Sequence, residues 1–300
     1  MTIQKVGIIG AGTMGNGIAQ VCAVAGVDVV MVDVNDAAVE RGVSAIGGSL
    51  ERLVKKEKLT TADKNKALAR VKGTADYGEI KGVDLAIEAA TENVELKLPI
   101  LKQLDTLLAP DTVIATNTSS ISITQLAAVV SKPERFIGMH FFNPVPVMAL
   151  VELIRGLQTA DDTHAIAEGF VKAIGKTPIS VKNSPGFVVN RVLCPMINEA
   201  IFVLQEGLAS AEEIDSGMRL GCNHPIGPLA LADLIGLDVL LAVLQTIHDE
   251  LGKPKYRPAP LLKASVPNLL RDCHSMVRST RGTRHNIGRR PALTYNRWRR

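Results

Sequence analysis

Apolar positions in the first half of the chain switch between a short period and a helical one. Residues 5–10, KVGIIG, form a short β-branched run, and TMGNGIAQVCAVAG after them has helical apolar spacing. DVVMVD is a second strand that ends on Asp33. A long helical stretch opens with Asp36 as its N-cap and Glu40 in its first turn and runs to about Lys58; a shorter one starts at Thr61. VDLAIEAA (83–90) and TVIATNTS (112–119) read as buried strands separated by a helix over 95–107, and a helix over 122–130 follows. Two more apolar runs lie within 136–154, then a helix over 163–174 and the strand PISV. Strands alternating with helices predict βαβ units and a mostly parallel sheet, an α/β domain over residues 1–184.

After Lys182 the texture changes. NSPGFVVNR carries the Pro-Gly punctuation of a boundary, and the pattern beyond it is helical over 188–206, 211–220 and 227–251. Residues 185–263 are therefore expected to form a smaller all-α domain. Its stretch LALADLIGLDVLLAVLQ (229–245) is so apolar that burial against a partner is expected.

Composition narrows the class. Apolar content of 46% supplies a packed core, and charges break every apolar run well before the length of a membrane span. The opening MTIQK leads straight into VGIIG and leaves no room for a charged, then apolar, signal segment. Cys22, Cys194, Cys222 and Cys273 are scattered, without CxxC pairs or metal-ligand spacing to histidines. A cytoplasmic protein without structural metal is the expectation. The net charge of +4 is uneven: residues 264–300 hold nine Arg, no Lys and one acid, Asp272, so the first 263 residues sum to −4.

The first candidate chemistry is Gly10-Ala-Gly12-Thr13-Met14-Gly15, a GxGxxG run. Alone such a run is weak. Here it follows a strand, opens a helix and sits in a βαβ unit whose second strand ends in an acid, which are the conditions of a Rossmann-type dinucleotide site. Gly10 allows the tight turn, Gly12 lets the backbone approach pyrophosphate, and Gly15 lets helix and strand pack closely. Asp33 would accept hydrogen bonds from the adenosine ribose and repel a 2′-phosphate, which favours NAD over NADP. A tight βα turn with no ligand is the bland alternative.

The second candidate lies in FIGMHFFNPVPVMALVELI (136–154), where two core-like runs each hold one ionisable residue, His140 and Glu152. A histidine on an apolar strand is ordinarily a satisfied core residue. Asn143-Pro-Val-Pro146, however, cannot continue a central strand, so the chain must bend there and can return alongside itself. A carboxylate bonded to one imidazole nitrogen supports the imidazolium and leaves the other nitrogen for proton transfer. Beside a nicotinamide, that pair suits oxidation of an alcohol.

At this point the chain resembles the 3-hydroxyacyl-CoA dehydrogenase family, particularly its short bacterial 3-hydroxybutyryl-CoA members. The likeness runs in order from residue 3 to about 263 through VGIIGAGTMGNGIA, AIEAATENVELK, ATNTSSISI, FIGMHFFNPVPVMALVE, NSPGFVVNR and HPIGPLALADLIGLD. It implies that His140 and Glu152 are the catalytic pair, with Ser119 of NTSS and Asn190 of PGFVVNR as further active-site residues. It implies cofactor contacts from Thr13, Met14, Glu92, Lys97, Asn117, Ser119 and Asn143, and contacts to coenzyme A from Ser49 and Lys56. It also implies a homodimer built on the helical domain, with no membrane or nucleic-acid partner. Bland readings stand beside these. Ser119 could simply cap the next helix, Asn190 could be a structural amide, and Lys55, Lys56 and Lys58 could be the solvated basic end of a helix.

The likeness stops near Lys263. The family pattern closes with a basic, glycine-rich segment and a short aromatic strand that contributes a Lys near the cofactor. This chain reads SVPNLLRDCHSMVRSTRGTRHNIGRRPALTYNRWRR there, which does not align and has the look of another reading frame or a fused sequence. Residues 264–300 are expected to be poorly ordered and unnecessary for the chemistry. The alternative, a nucleic-acid-binding arm using Tyr295 and Trp298 for stacking, lacks a recognised motif. Two rival functions remain for the chain: a dehydrogenase of a small hydroxy acid without coenzyme A, and a catalytically silent NAD-binding protein.

Overall fold

The computed structural model describes residues 2–266. The chain divides into two compact units, Met1–Leu193 with Asp249–Gly252, and Cys194–His248 with the segment from Lys253 onward. In the first unit, β1 (Lys5–Ile9), α1 (Thr13–Val24), β2 (Asp28–Val32), α2 (Asp36–Lys55), α3 (Thr61–Ala69) and β3 (Val71–Thr74) precede β4 (Leu85–Glu88). Then come α4 (Val94–Leu107), β5 (Val113–Thr116), α5 (Ile123–Ala127), β6 (Phe136–Phe141), β7 (Leu150–Arg155), α6 (Asp161–Ala173) and β8 (Thr177–Lys182).

The eight strands form one sheet in the order β3-β2-β1-β4-β5-β6-β7-β8. All neighbours are parallel except β6 and β7. Every residue of β4, β5 and β6 is buried. Alternate residues feed two separate apolar layers: Ile8, Met31 and Ile87 in one, and Ile9, Val30, Val32 and Ala86 in the other. A mostly parallel sheet covered on both faces has this reading, near-continuous apolar strands rather than alternating ones.

Local signals set the helix starts, with one correction. The N-cap of α2 is Asn35, not Asp36. The Asn35 backbone is extended (φ −159°) and its side chain accepts from Ala38 N at 2.9 Å, whereas Asp36 is already helical and favours the positive end of the dipole. Asn93 caps α4 and Ser122 caps α5 in the same way, so Ser119 is not a helix cap. Strand β3 escaped the sequence pattern because it has four residues, no buried position and a Lys-Gly centre at the sheet edge.

In the second part of the chain, α7 (Val189–Gln205) starts within the first unit and continues into the second. It is followed by α8 (Ala211–Gly221), α9 (Pro228–Ile235), α10 (Leu237–Leu251) and α11 (Pro260–Ser265). The expected helical stretch 227–251 is two helices bent by 97° at Gly236, whose φ of 99° ends α9. That break corrects the expectation that the 229–245 stretch needs a partner for its burial: Leu229, Ala232, Leu237, Leu240, Val243 and Leu244 are buried within the chain. Leu234 and Val239 remain exposed. No single described helix is long and apolar enough to cross a membrane. Ala264 and Ser265, the first residues of the Arg-rich segment, complete α11; from residue 267 onward that segment lies outside the described residues.

Candidate active site

The glycine loop leaves β1 at the carboxyl edge of the parallel strands, between β2 and β4, where the strand order reverses. Gly10 has φ of 104°, and a Cβ there would stand 2.7 Å from Ala89 O and from Ala90 Cα. A Cβ on Gly15 would stand 1.7 Å from Gly10 O. Both positions therefore exclude side chains by packing. Gly12 differs: a Cβ there would meet no protein atom within 4 Å, and as the N-cap of α1 it provides no side-chain acceptor. Free N–H groups at the start of a 12-residue helix, with open space over the backbone, fit a phosphate. Thr13 is exposed and Met14 packs partly on the core. Asp33 Oδ2 accepts from Ala11 N at 2.6 Å and Oδ1 from Val34 N at 2.7 Å, so the acid also braces the loop from the tip of β2.

Strand β4 ends in Glu88, which no sequence argument above singled out. It is fully buried, and its carboxylate accepts from Ala90 N (2.9 Å), Thr116 Oγ1 (2.7 Å) and the ammonium of Lys97 on α4. Lys97 was expected to touch the cofactor. The structure places it 1% exposed on the Glu88 carboxylate, because a buried ammonium needs an anion and Glu88 supplies one. The signal was available, since an acid in the apolar run LAIEAA is the same anomaly that drew notice to Glu152.

Glu92, four residues on, is exposed and gathers the loop after β5. Its Oε1 lies near Thr118 Oγ1 (2.8 Å), Ser119 N and Oγ (2.8 and 2.9 Å), and Ser120 N and Oγ (3.1 and 3.0 Å). One oxygen cannot satisfy five donors at once, so the three hydroxyl protons compete for it. Ser119 is half-buried there. Asn117 accepts from Phe141 N through Oδ1 at 2.8 Å and so ties the end of β5 to the end of β6, beside His140.

His140 and Glu152 are brought together by register. They are direct partners in the antiparallel β6–β7 ladder, and directly opposed residues project from the same face. Nδ1 of His140 lies 2.7 Å from Oε2 of Glu152, with Glu152 fully buried and His140 nearly so. The imidazole packs against Phe142 (centroids 4.4 Å apart) and Phe187 (5.7 Å). The other Glu152 oxygen accepts from Val188 N and Val189 N, each at 3.0 Å, at the start of α7. Asn190 is half-buried in that first turn.

The turn between β6 and β7 carries Asn143, which is exposed and joined to Pro144 by a cis bond. Lys176 donates to two carbonyls of this turn, Val145 O and Met148 O, both at 2.7 Å. Burial holds its ammonium below the ordinary lysine range. Val145 fills the space over Gly17 of α1, where a Cβ would come within 2.9 Å. Pattern reading passed over Lys176 because its acceptors are backbone atoms far away in the chain.

Ser49 and Lys56 stand apart from this cluster on α2. Seven residues separate them, two helical turns and about 10 Å on one face. Ser49 is half-buried, and Lys56, the C-cap of α2, is exposed. Gly42 of the same helix abuts the glycine loop, where a Cβ would stand 2.7 Å from Ala11 Cβ.

Known proteins match this chain in sequence and in fold. The sequence profile of the 3-hydroxyacyl-CoA dehydrogenase NAD binding domain covers residues 5–184, and that of the family's C-terminal domain covers residues 186–269. The 3-hydroxybutyryl-CoA dehydrogenase of Bradyrhizobium diazoefficiens is 50% identical over 260 residues, 87% of this chain and 89% of its own length. The human mitochondrial hydroxyacyl-coenzyme A dehydrogenase is 40% identical over 271 residues, 88% of this chain and 86% of its own. The crystal structure of (S)-3-hydroxybutyryl-CoA dehydrogenase from Ralstonia eutropha superposes with a TM-score of 0.87 at 67% identity, covering 89% of this chain and 94% of that one. With both domain profiles matched and the fold shared, the chain belongs to the 3-hydroxyacyl-CoA dehydrogenase family and carries its NAD-binding domain.

Proposed function

We propose that the protein interconverts short (3S)-3-hydroxyacyl-CoA thioesters, such as 3-hydroxybutyryl-CoA, and their 3-keto forms, with His140 as acid and base and Glu152 as its partner. The observation that carries the reading is the buried Nδ1–Oε2 bond of this pair at the carboxyl end of β6. The glycine loop stands three strands away across the same sheet, about 14 Å at ordinary strand spacing. Relatives named 3-hydroxybutyryl-CoA dehydrogenase support the substrate class.

Bound NAD supplies the hydride acceptor. The residues do the rest. With Nδ1 held by Glu152, Nε2 of His140 takes the proton of the 3-hydroxyl in the oxidative direction and returns it in the reductive one, while the Glu152 carboxylate favours the imidazolium formed between. Ser119 and Asn190 hold the 3-oxygen and the thioester as neutral hydrogen bonders. Glu92 sets where Ser119 stands, and Asp33 reads the ribose. Ser49 and Lys56 take the coenzyme A end, the ammonium meeting phosphate as a point charge. A homodimer built on the helical domain and a cytoplasmic location belong to the same reading; exposed Leu220, Leu234 and Val239 suit the former.

The test is reduction of acetoacetyl-CoA by the purified protein, followed as loss of NADH absorbance. Turnover that is absent with acyl-CoA substrates of every length but present with free hydroxy acids would overturn the substrate class. NADH binding without any turnover would leave a silent NAD-binding protein.

A further inference from the structure

Glu152 is enclosed on all sides, and its two oxygens serve different elements. Oε2 meets His140, while Oε1 accepts the N–H groups of Val188 and Val189, the residue before α7 and its first residue. These are donors that a helix start leaves without intrahelical acceptors. The chain reaches them through a tight reversal in which Gly186 has φ of 73° and Phe187 φ of 50°. A bulky residue in the left-handed region is uncommon and persists only where its surroundings demand it. Here Phe187 is buried with its ring against His140, so the same reversal packs the imidazole and aims two successive amides at one oxygen. Asn190 follows immediately, in the second position of the helix.

We propose that Glu152 is also the positioning residue for Asn190: its Oε1 fixes the first turn of α7, and that turn decides where the Asn190 amide stands relative to His140. The inference rests on the reading of Asn190 as a substrate-contacting residue. One carboxylate then ties together the base and the neutral hydrogen bonder, and loosening one side displaces the other. A displacement of about 1 Å in an active site costs on the order of 100-fold in rate.

The surgical variant is Val189→Pro. It deletes one of the two N–H donors at the first helical position, where proline is tolerated, and leaves Glu152 and His140 in place. Val189→Ala, which keeps the N–H, is the control. Relative to that control, Val189→Pro is expected to lower kcat for acetoacetyl-CoA reduction by about tenfold or more while the NADH Kd stays within about twofold. Asn190→Ala should cost less on the Val189→Pro background than in the wild-type chain, because the two changes act on one interaction. Independently of activity, amide exchange over residues 188–192 should quicken in Glu152→Gln. Unchanged kcat in Val189→Pro, or full additivity with Asn190→Ala, overturns the proposal. If Val189→Pro does not fold, the cycle between Glu152→Gln and Asn190→Ala replaces it, and additivity there overturns it equally. Near-normal turnover of Asn190→Ala alone would instead sink the underlying reading of Asn190, and unaltered exchange in Glu152→Gln would sink the anchoring itself.

Discussion

The two ends of the site are built by different means. At the nucleotide end, around β1 and β4, the surface is mostly backbone, glycines without side chains and the amides that start α1, with one side chain, Asp33, bracing Ala11 N. All lie within 24 consecutive residues, apart from the Ala89–Ala90 wall. At the chemical end, around β6 and β7, the contacts are made by side chains: antiparallel register brings His140 onto Glu152, and the start of α7, much later in the chain, returns to the same carboxylate. A phosphate needs many weak donors in a fixed arc, which a local turn can provide. A proton needs one group with a tuned partner, and the partner has to come from elsewhere in the fold.

That contrast can be broken first at its chemical end. His140→Gln should reduce kcat by about 100- to 10,000-fold, the range of a lost general acid–base group, with NADH binding retained; near-normal turnover in a steady-state assay would mean another base operates. The nucleotide end should fail in the opposite manner. Gly15→Ala drives a methyl into Gly10 O, so the loop must move, and we expect NADH affinity to fall by about tenfold or more, measured by fluorescence titration. An intact Kd would show that the loop tolerates displacement.

Asp33→Ala should narrow the NADH-over-NADPH preference by about tenfold, and it should also weaken NADH itself, since Ala11 N loses its acceptor. An unchanged ratio of kcat/KM values would mean that another group reads the ribose. Lys56→Ala should raise KM for acyl-CoA by about three- to tenfold with kcat little changed, and should leave a small 3-keto substrate without coenzyme A unaffected. The smallest effect concerns thiols. Burial pushes Cys22 and Cys194 up to about 12, so neither offers thiolate at neutral pH, whereas Cys222 is exposed. Mass spectrometry after brief iodoacetamide treatment should find Cys222 modified and Cys22 and Cys194 spared; early labelling of Cys22 would show that α1 opens.

Much of the fold was legible because its signals are local. The strand–glycine loop–helix unit, the helices after Thr60 and Asn93, and the bend at Asn143–Pro146 are each announced within a few residues. What escaped did so for separate reasons. β3 is an edge strand with too little burial to impose a pattern, and the 227–251 stretch keeps its apolar period through Gly236 although the chain turns there. The Lys97–Glu88 pair was not legible, because a lysine that touches a ligand and one that neutralises a buried acid look alike in sequence.

The sequence by itself determined the strand–helix alternation, the dinucleotide loop with its acid, and the anomaly of one imidazole and one carboxylate in adjoining core runs. Those are properties of periodicity and of residue chemistry, which act over a few residues. Only the tertiary structure decided which buried groups meet. It set the buried Lys97 on Glu88 and added the start of α7 to the Glu152 carboxylate that the sequence had already paired with His140. A buried polar group must find a partner, but which partner it finds depends on strand register and on how a later segment returns, and neither is written at the position of the group itself.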